Sequence, residues 1–418
     1  MLFRTEQNDG KMGTLYSSAT YHKNFTRTPT LEHKQVHLET SSGFSLSATE
    51  NFIFACCSKG CIHVLKASNF EYVATLPKPA PVFTSTKVKQ YPSALCARNL
   101  GNRFLVTVYG DRSIYVWDVR DSSRIGRVRS FLHHNGCIWD VATFRHENQE
   151  AFATCSVDGT FRVWTTNSSK EAFKKRDESW KSQYSRDLMR VIPLLSSNHC
   201  LIEKPVDMEL APHSVAGLGL RCLASSRDDS LRFVVCDKSG QIYSIDLSRS
   251  EASVNTLSAH DAEIMSVAYS GMTLATSSRD RLVHIFNHQE NNILKCVQTL
   301  DNHSGTVNRV RWDMTGSRLM TCGADQSVVI CEKGSDKELK RIQLLNVARG
   351  SVYDMDIDAG NKFLVTASQD KMLNIWNVSG VSKPSLVRRY KIDSENSSEG
   401  CCAYRVRLDP SGLFVALC

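Results

Sequence analysis

A short unit that recurs along the chain limits the possible folds more than any other feature of this sequence. The clearest copy spans residues 259–286 and reads AHDAEIMSVAYSGMTLATSSRDRLVHIF. It divides into three short runs, at 263–269, 273–278 and 282–286, each bounded by polar or turn residues. Short runs of this composition, separated in this way, predict antiparallel strands joined by tight turns.

The turn before the third run measures the repeat. Successive turn residues are separated by 52, 47, 81, 41, 45 and 45 residues, and they fall at Lys59, Asp111, Asp158, Ser239, Asp280, Asp325 and Asp370. A period of about 45 residues, with four strands per unit, is typical of WD-repeat β-propellers. The sequence therefore predicts an all-β fold made of propeller blades.

The interval of 81 residues indicates an insertion within this rhythm. We expect residues 1–166 to form the last blades of a first propeller, with residues 1–45 poorly defined. Residues 167–215 are expected to be an insertion or linker that contains one strand, at 188–195. Residues 216–418 are expected to form the leading blades of a second propeller, whose last unit stops after its second strand. The chain thus reads as parts of two consecutive propellers and as a fragment.

Histidines ahead of the first run of several units are candidates for a polar network with the turn aspartates. An aspartate at a turn can hydrogen-bond its own backbone, and a buried polar network is stable only when every member is satisfied. For these histidines we favour a structural role over catalysis. The expected network residues are His134 with Asp158, His260 with Asp280, His303 with Asp325, and the turn residue Asp370.

Four basic residues lie in or beside the turns and would line one rim of a propeller: Arg112, Arg279, Arg281 and Lys371. They can be simply solvated turn residues. The functional alternative is a basic rim that binds an acidic peptide.

Two other segments resemble kinase-docking peptides, because basic residues precede spaced apolar ones. They lie at residues 185–195 and 388–392. Both occupy the place where a blade needs its outer strand, and that interpretation is favoured.

Composition excludes several classes of function. The net charge is +8, from 51 basic and 43 acidic residues, and the basic residues are scattered rather than clustered, so no nucleic-acid partner is predicted. The 15 cysteines, an odd number with irregular spacing, indicate reduced thiols in the cytosol or nucleus. No secretory signal or long apolar run is present, so no membrane partner is predicted.

The sequence contains no recognised catalytic motif, so no enzymatic activity and no cofactor are predicted. The group Cys56, Cys57, Cys61 and His63 could in principle bind zinc. Its spacing is not paired, and alternation along strands places its side chains on opposite faces of a sheet. No metal site is predicted.

Six segments are similar to the mitogen-activated protein kinase-binding protein family, whose members are large WD-repeat scaffolds and include the microcephaly-associated spindle-pole protein. The segments are YGDRSIYVWDV at 109–119, AHDAEIMSVAYS at 259–270, SSRDRLVHIF at 277–286, CGADQSV at 322–328, VYDMDID at 352–358 and DPSGLFVA at 409–416. The resemblance implies two consecutive propellers followed by a long tail that carries the kinase-docking region.

The resemblance also implies protein partners and a non-enzymatic scaffold role, in c-Jun N-terminal kinase signalling, in mitotic spindle-pole organisation, or in both. It implies a cytoplasmic location, or one at the centrosome or spindle pole. The alternative function is that of a generic WD-repeat subunit of another assembly, such as a ubiquitin-ligase receptor or a ribosome-biogenesis complex.

Overall fold

The structure, a computed structural model, describes 16 segments of the chain. They are residues 2–6, 30–34, 43–49, 51–67, 71–83, 89–121, 125–146, 149–166, 187–194, 219–226, 231–248, 252–358, 360–379, 384–391, 406–408 and 414–417. Most of the expected insertion at 167–215 and of the stretch at 1–45 lies outside these residues. Among the described residues, no helix has the length and apolar character needed to cross a membrane.

Seven four-stranded antiparallel sheets are each formed by four consecutive strands, and we number them 1 to 7 in chain order. Sheet 1 contains Gly43–Ala48, Phe52–Cys57, Ile62–Lys66 and Tyr72–Thr75. Sheet 2 contains Ala94–Leu100, Phe104–Tyr109, Ile114–Asp118 and Gly126–Phe131. Sheet 3 contains Ile138–His146, Gln149–Ser156, Thr160–Thr165 and Leu188–Pro193. Sheet 4 contains Leu220–Ser225, Arg232–Asp237, Gln241–Asp246 and Ser253–Ser258.

The remaining three sheets of this series follow in the same order. Sheet 5 contains Ile264–Ser270, Thr273–Ser278, Val283–His288 and Leu294–Leu300. Sheet 6 contains Val307–Trp312, Arg318–Gly323, Ser327–Lys333 and Leu339–Asn346. Sheet 7 contains Val352–Ile357, Phe363–Ser368, Met372–Asn377 and Ser385–Lys391. Smaller elements are the hairpin Val82–Phe83 with Lys89–Gln90 and the single turns of 3-10 helix Ser58–Gly60 and Glu290–Asn292.

An eighth sheet joins the two ends of the chain. Its strands, in spatial order, are Thr30–Lys34, Leu2–Glu6, Phe414–Leu417 and Val406–Leu408. The predicted last unit with only two strands therefore receives its two outer strands from the N-terminal end, through antiparallel pairing of Phe3 with Val415.

The first strands of successive sheets lie against one another, and this contact places them around a common axis. These contacts between first strands continue from sheet 1 to sheet 7. Val406–Leu408, a strand of the eighth sheet, contacts the first strands of both sheet 7 and sheet 1. The series of sheets thus closes into a ring, and the prediction of an all-β propeller is confirmed.

Burial follows from this arrangement. A second strand such as Gln149–Ser156 is buried on both faces from Ala151 onward, because neighbouring sheets cover both sides of its own sheet. A fourth strand such as Ser385–Lys391 is exposed along most of its length. The two segments that resemble docking peptides thus provide outer strands, Leu188–Pro193 and Ser385–Lys391.

Sheets 3 and 4, on the two sides of residues 167–215, share one hydrophobic cluster. The ring of Phe233 lies 4.8 Å from that of Phe144 and 5.4 Å from that of Phe161, measured between ring centres. Sheets 3 and 4 therefore share a core, and the division of the chain between two propellers stays a prediction.

Replacement of Phe233 by alanine tests this shared core. We expect Phe233→Ala to lower the free energy of unfolding by about 3–5 kcal/mol, because it removes buried ring contacts and leaves a cavity. Urea unfolding followed by tryptophan fluorescence measures the change. Leu132→Ala, at a side chain that is 62% exposed, is the control and should have little effect. An unchanged midpoint for Phe233→Ala would contradict the shared core.

Candidate functional site

The turns between the second and third strands lie at one end of the propeller, which we call the rim. In sheets 2 to 7, the first residue after the second strand donates its backbone N–H to the carbonyl of the residue before the first strand of the same sheet. These bonds join Gly110 to Ser93, Val157 to Cys137, Lys238 to Gly219, Arg279 to Glu263, Ala324 to Thr306, and Gln369 to Ser351. Because the first strands surround the axis, the turns are arranged around its mouth.

Sheet 3 carries the most complete polar network of the rim. The indole Nε1–H of Trp164 donates to Thr154 Oγ1 at 3.0 Å. Thr154 Oγ1 lies 2.8 Å from His134 Nε2, and His134 Nδ1 lies 2.8 Å from Asp158 Oδ2. The hydroxyl of Thr160 donates to the other carboxylate oxygen at 2.7 Å. The loop before the first strand, the turn, and the second and third strands are thereby joined through Asp158 and His134.

The donors in this chain can be assigned from chemistry. Because the indole of Trp164 only donates, the hydroxyl of Thr154 is free to donate onward to His134 Nε2. His134 Nδ1 then carries the proton and donates it to Asp158. A neutral imidazole agrees with burial, which lowers the pKa of His134. Burial raises the pKa of Asp158, but the hydrogen bonds from His134 and Thr160 outweigh it and hold that pKa well below its usual range.

Sheet 5 repeats the pair. His260 Nδ1 lies 2.7 Å from Asp280 Oδ2, and His260 Nε2 lies 2.8 Å from Thr276 Oγ1. The third strand has Phe286 in place of the tryptophan and Leu282 in place of the threonine, so only the backbone N–H of Leu282 reaches the second oxygen of Asp280, at 2.9 Å.

Sheet 6 repeats it again without a tryptophan. His303 Nδ1 lies 2.9 Å from Asp325 Oδ2, and His303 Nε2 lies 2.7 Å from Thr321 Oγ1. The hydroxyl of Ser327 donates to Asp325 at 2.8 Å. Cys331, at the tryptophan position, packs into the core instead. The histidine–aspartate pair is therefore formed even where the indole is missing.

Asp370 in sheet 7 acts without a histidine. The backbone N–H of Arg349 donates to Asp370 Oδ2 at 2.8 Å, and the hydroxyl of Ser368 donates to Oδ1 at 2.5 Å. The equivalent backbone donors in sheets 3, 5 and 6 are Asn135, Asp261 and Ser304. The hydrogen bond from a backbone N–H to the turn aspartate is therefore found in more sheets than the bond from a histidine.

The residue after the turn aspartate adopts a left-handed backbone conformation. The φ angle is +72° at Arg112, +76° at Arg281 and +62° at Lys371. At the same position Gly159 has φ +76°, and Gly240 has φ +89° with no room for a Cβ, which would collide with the carbonyl oxygen of His260. A non-glycine residue in this conformation costs about 1–2 kcal/mol. Three basic side chains therefore stand at strained positions.

The four basic candidates of the rim belong to three different sheets. Arg112 Nη1 donates to the carbonyl of Asn135, in the loop between sheets 2 and 3, at 3.3 Å. Arg279 Nε lies 3.0 Å from Glu263 Oε2, so its charge is partly neutralised. Arg281 is exposed and Lys371 is half-buried. Only Arg279 and Arg281 share a turn, on either side of Asp280.

A β-bulge at the start of each first strand adds a second set of rim residues that the sequence analysis missed. Register shifts in sheets 3 and 4 leave Trp139 and Arg221 outside the ladder. The guanidinium of Arg221 lies 4.2 Å from the centre of the Trp139 ring. Aligning the residue that follows the first buried position of each first strand would have identified this set. In sheets 2 to 7 it comprises Leu95, Trp139, Arg221, Met265, Asn308 and Tyr353.

Charged residues deeper along the axis neutralise one another. Arg98 Nη2 lies 3.0 Å from Asp140 Oδ1, and Arg309 Nε lies 2.9 Å from Asp354 Oδ1. Both carboxylates follow the bulge of a first strand. Burial lowers the pKa of Arg309, but the carboxylate of Asp354 outweighs burial, so the guanidinium stays charged. These paired charges hold neighbouring first strands together.

One group of side chains in the described residues has metal-ligand chemistry: His260, Asp280 and His284, with candidate ligand atoms within 4.8 Å of one another. Both ring nitrogens of His260 already bond to Asp280 and Thr276. His284 Nδ1 lies 2.8 Å from Thr299 Oγ1. A bound metal would have to displace the bonds that hold the turn, so this arrangement fits a hydrogen-bonded network better.

Comparison with known proteins agrees with the repeat. The WD40 description, "WD domain, G-beta repeat", matches residues 126–165, 251–287, 294–331 and 340–377. The chain is 32% identical to WD repeat-containing protein 62 of Sus scrofa over 92% of its length, and 29% identical to mitogen-activated protein kinase-binding protein 1 of Mus musculus over 85%. It spans about a quarter of those relatives, 26% and 25% of their length.

Solved structures share the fold at low sequence identity. Chaetomium thermophilum Sqt1, bound to the N-terminus of the ribosomal protein L10, superimposes with a TM-score of 0.67 at 14% identity, over 90% of this chain and 96% of that one. The computationally designed protein Ika8 gives 0.60 at 12% identity, over 90% and 95%. Both show the likeness of the fold alone.

Loss of one turn carboxylate should destabilise the protein through its partners. We expect Asp280→Ala to lower the free energy of unfolding by about 1–3 kcal/mol, because the buried Nδ1–H of His260 loses its acceptor. Asp280→Asn, which keeps an oxygen acceptor, is the matched control and should lose less. Urea unfolding of both variants provides the measurement, and wild-type stability of Asp280→Ala would refute this role.

The network also predicts a pH dependence of stability. Burial lowers the pKa of His134, His260 and His303 in the folded state, so the folded protein binds fewer protons than the unfolded one. Their contribution is complete above the unfolded pKa of about 6.5 and is lost as the pH falls below it. We expect the urea midpoint to fall between pH 7.5 and pH 5.5. His303→Asn should reduce this dependence, and a midpoint that rises on acidification would contradict it.

Proposed function

We propose that this chain, which is similar to WD repeat-containing protein 62 and mitogen-activated protein kinase-binding protein 1, is a non-enzymatic scaffold that binds other proteins. The proposed setting is c-Jun N-terminal kinase signalling, mitotic spindle-pole organisation, or both. The proposed location is the cytoplasm, including the centrosome or spindle pole.

One observation carries the proposal of a binding rim. Basic side chains occupy turn positions where glycine would be more stable: Arg112, Arg281 and Lys371 all have positive φ. Strained backbone positions persist where the surrounding structure imposes them, and they are concentrated at functional sites. Basic side chains at such positions are therefore expected to act in binding rather than in stabilising the fold.

The polar network supports the same proposal by giving the rim rigid support. The turn aspartates Asp158, Asp280 and Asp325 each receive bonds from a histidine and from backbone N–H groups. A surface held in this way loses little conformational entropy when a partner binds. Its turns can therefore present side chains to an extended peptide at low cost.

The family part of the proposal has a direct cellular test. Proximity labelling with this chain in dividing cells should recover stress-kinase components, spindle-pole components, or both. Recovery of ubiquitin-ligase or ribosome-assembly components instead would support the alternative function and overturn this one.

Glycine substitution separates binding from stability at the rim. The triple variant Arg112→Gly, Arg281→Gly and Lys371→Gly should keep or raise the thermal midpoint, because glycine relieves the left-handed strain. It should lose most recovery of acidic partners in the labelling experiment, because three charges are removed. Gln326→Gly, at the equivalent turn position with φ +67°, is the uncharged control. Unchanged recovery by the triple variant would exclude these side chains from binding.

A further inference from the structure

Sheet 7 carries three of the four members of the network that is complete in sheet 3. Thr366 lies four residues before the turn aspartate Asp370, and Trp376 lies six residues after it, the same intervals as in sheet 3. The fourth member, the histidine, lies three residues before the residue whose carbonyl accepts the backbone N–H of the turn. In sheet 7 that carbonyl belongs to Ser351, so the residue at the histidine position is Ala348.

Two hydrogen bonds hold the backbone around Ala348 as they hold it around the histidine of sheet 3. The backbone N–H of Arg349, the next residue, donates to Asp370 Oδ2 at 2.8 Å. The carbonyl of Val347, the preceding residue, accepts from the buried side-chain amide of Asn374 at 2.9 Å. The equivalent bonds of sheet 3 join Asn135 to Asp158 at 2.9 Å and Arg162 to His133 at 2.6 Å. The backbone therefore places position 348 beside its turn aspartate as it places the histidine in sheet 3.

Two polar side-chain atoms of this network have no hydrogen-bond partner among the residues that the structure describes. They are the indole Nε1 of Trp376 and the hydroxyl of Thr366, and both atoms are buried. The whole Thr366 side chain is buried, at 0% exposure. In sheets 2 and 3 the equivalent indoles of Trp117 and Trp164 donate to their threonine at 3.0 Å. Because buried polar groups in native proteins are almost always hydrogen-bonded, the two atoms in sheet 7 mark a site for a polar group.

The chain itself shows three times which group fits a site of this kind. In sheets 3, 5 and 6 one imidazole nitrogen lies 2.7–2.8 Å from the threonine hydroxyl. The other nitrogen lies 2.7–2.9 Å from Oδ2 of the turn aspartate. A neutral imidazole provides both functions at once, an acceptor toward the hydroxyl and a donor toward the carboxylate. The methyl group of Ala348 provides neither.

We propose that Asp370, Thr366 and Trp376 form a binding site for an imidazole group that is not part of this loop. One nitrogen of the bound ring donates its proton to Asp370 Oδ2, and the other accepts from the hydroxyl of Thr366. The oxygen of Thr366 then accepts from the indole of Trp376. The bound ring contacts the methyl group of Ala348 instead of being bonded to it, so we expect weak binding, in the millimolar range.

The position of the site allows a group to enter from outside the protein. Ala348 is half-buried and Arg349 is exposed, so the site lies under the loop at the rim. The imidazole group comes from a free imidazole compound or from a histidine side chain of another protein, and its chemistry is the same in both cases. The site does not depend on the scaffold proposal.

Titration of the full chain with imidazole tests the site directly. At about pH 8 the probe is mostly neutral. The indole N–H signal of Trp376, observed by nitrogen–proton correlation NMR and assigned with Trp376→Phe, should shift until the site is saturated. The thermal midpoint should rise by about 1–2 °C at a concentration about tenfold above Kd. 1-Methylimidazole accepts a hydrogen bond but cannot donate one to Asp370, so this control compound should have a much weaker effect.

Substitutions test the members of the site one by one. Ala348→His supplies the ring from the chain, so it should raise the urea midpoint and abolish the response to imidazole. Thr366→Val removes the hydroxyl at nearly constant shape and should also abolish the response, with unchanged or higher stability. It provides a second test if Ala348→His does not fold. Thr321→Val is the matched control in sheet 6 and should lower the urea midpoint, because His303 Nε2 lies 2.7 Å from that hydroxyl.

A short peptide distinguishes the two sources of the imidazole group. Glycyl-histidyl-glycine with blocked ends should shift the Trp376 signal if the site accepts a histidine of another protein. A response to imidazole without a response to this peptide would assign the site to a free imidazole compound.

Three results would overturn the imidazole site. One is a Trp376 indole signal that does not respond to imidazole, and another is an equal response of Thr366→Val and the wild type. The third is a lower urea midpoint for Thr366→Val, since it would mean that the hydroxyl already has a partner. The scaffold proposal is unaffected by these results, because it is tested by the recovery of cellular partners.

Discussion

The rim of this propeller depends on the aspartate side chain at the turn between the second and third strands. Its two oxygens collect donors from segments that are distant in sequence, as when Asp158 receives His134, the backbone N–H of Asn135 and Thr160. Each of these groups would be costly to bury alone, because an unpaired polar group in a protein interior loses its hydration without compensation. One carboxylate therefore fixes a loop, a turn and the start of a strand together.

The network tolerates replacement of its members to different degrees. The indole is absent from sheets 5 and 6, where Phe286 and Cys331 pack as apolar side chains, and the histidine–aspartate pair is still formed. Sheet 7 has the tryptophan, Trp376, but lacks the histidine, and the backbone N–H of Arg349 still reaches Asp370. In sheet 4 the equivalent polar centre is Asp237, at the end of the second strand, which accepts from Ser239 and Tyr243. What persists in sheets 2 to 7 is a carboxylate in or beside this turn that receives nearby donors.

Local sequence patterns predicted most of the fold. The spacing of the turn residues predicted four-stranded units, and the position of each histidine ahead of its strand predicted its partner. The pairing of Leu2–Glu6 with Phe414–Leu417 could not be predicted in this way, because strand pairing between chain ends depends on closure of the ring and leaves no local signal. The surface at Trp139 was missed for a related reason. The Trp139 ring contacts Arg221 of the next sheet, and the ring faces outward only because of the β-bulge at the start of its strand.

The backbone geometry of the turns has a consequence for how this surface can diversify. The turn is held by the aspartate and by main-chain bonds, so the side chain that follows it, at Arg281, Gln326 or Lys371, contributes little to holding the frame. Charge, size and polarity at these positions can therefore be exchanged one sheet at a time while the frame is retained. Related chains with the same frame can in this way display different combinations of side chains around the same axis, and so distinguish their partners without redesigning the fold.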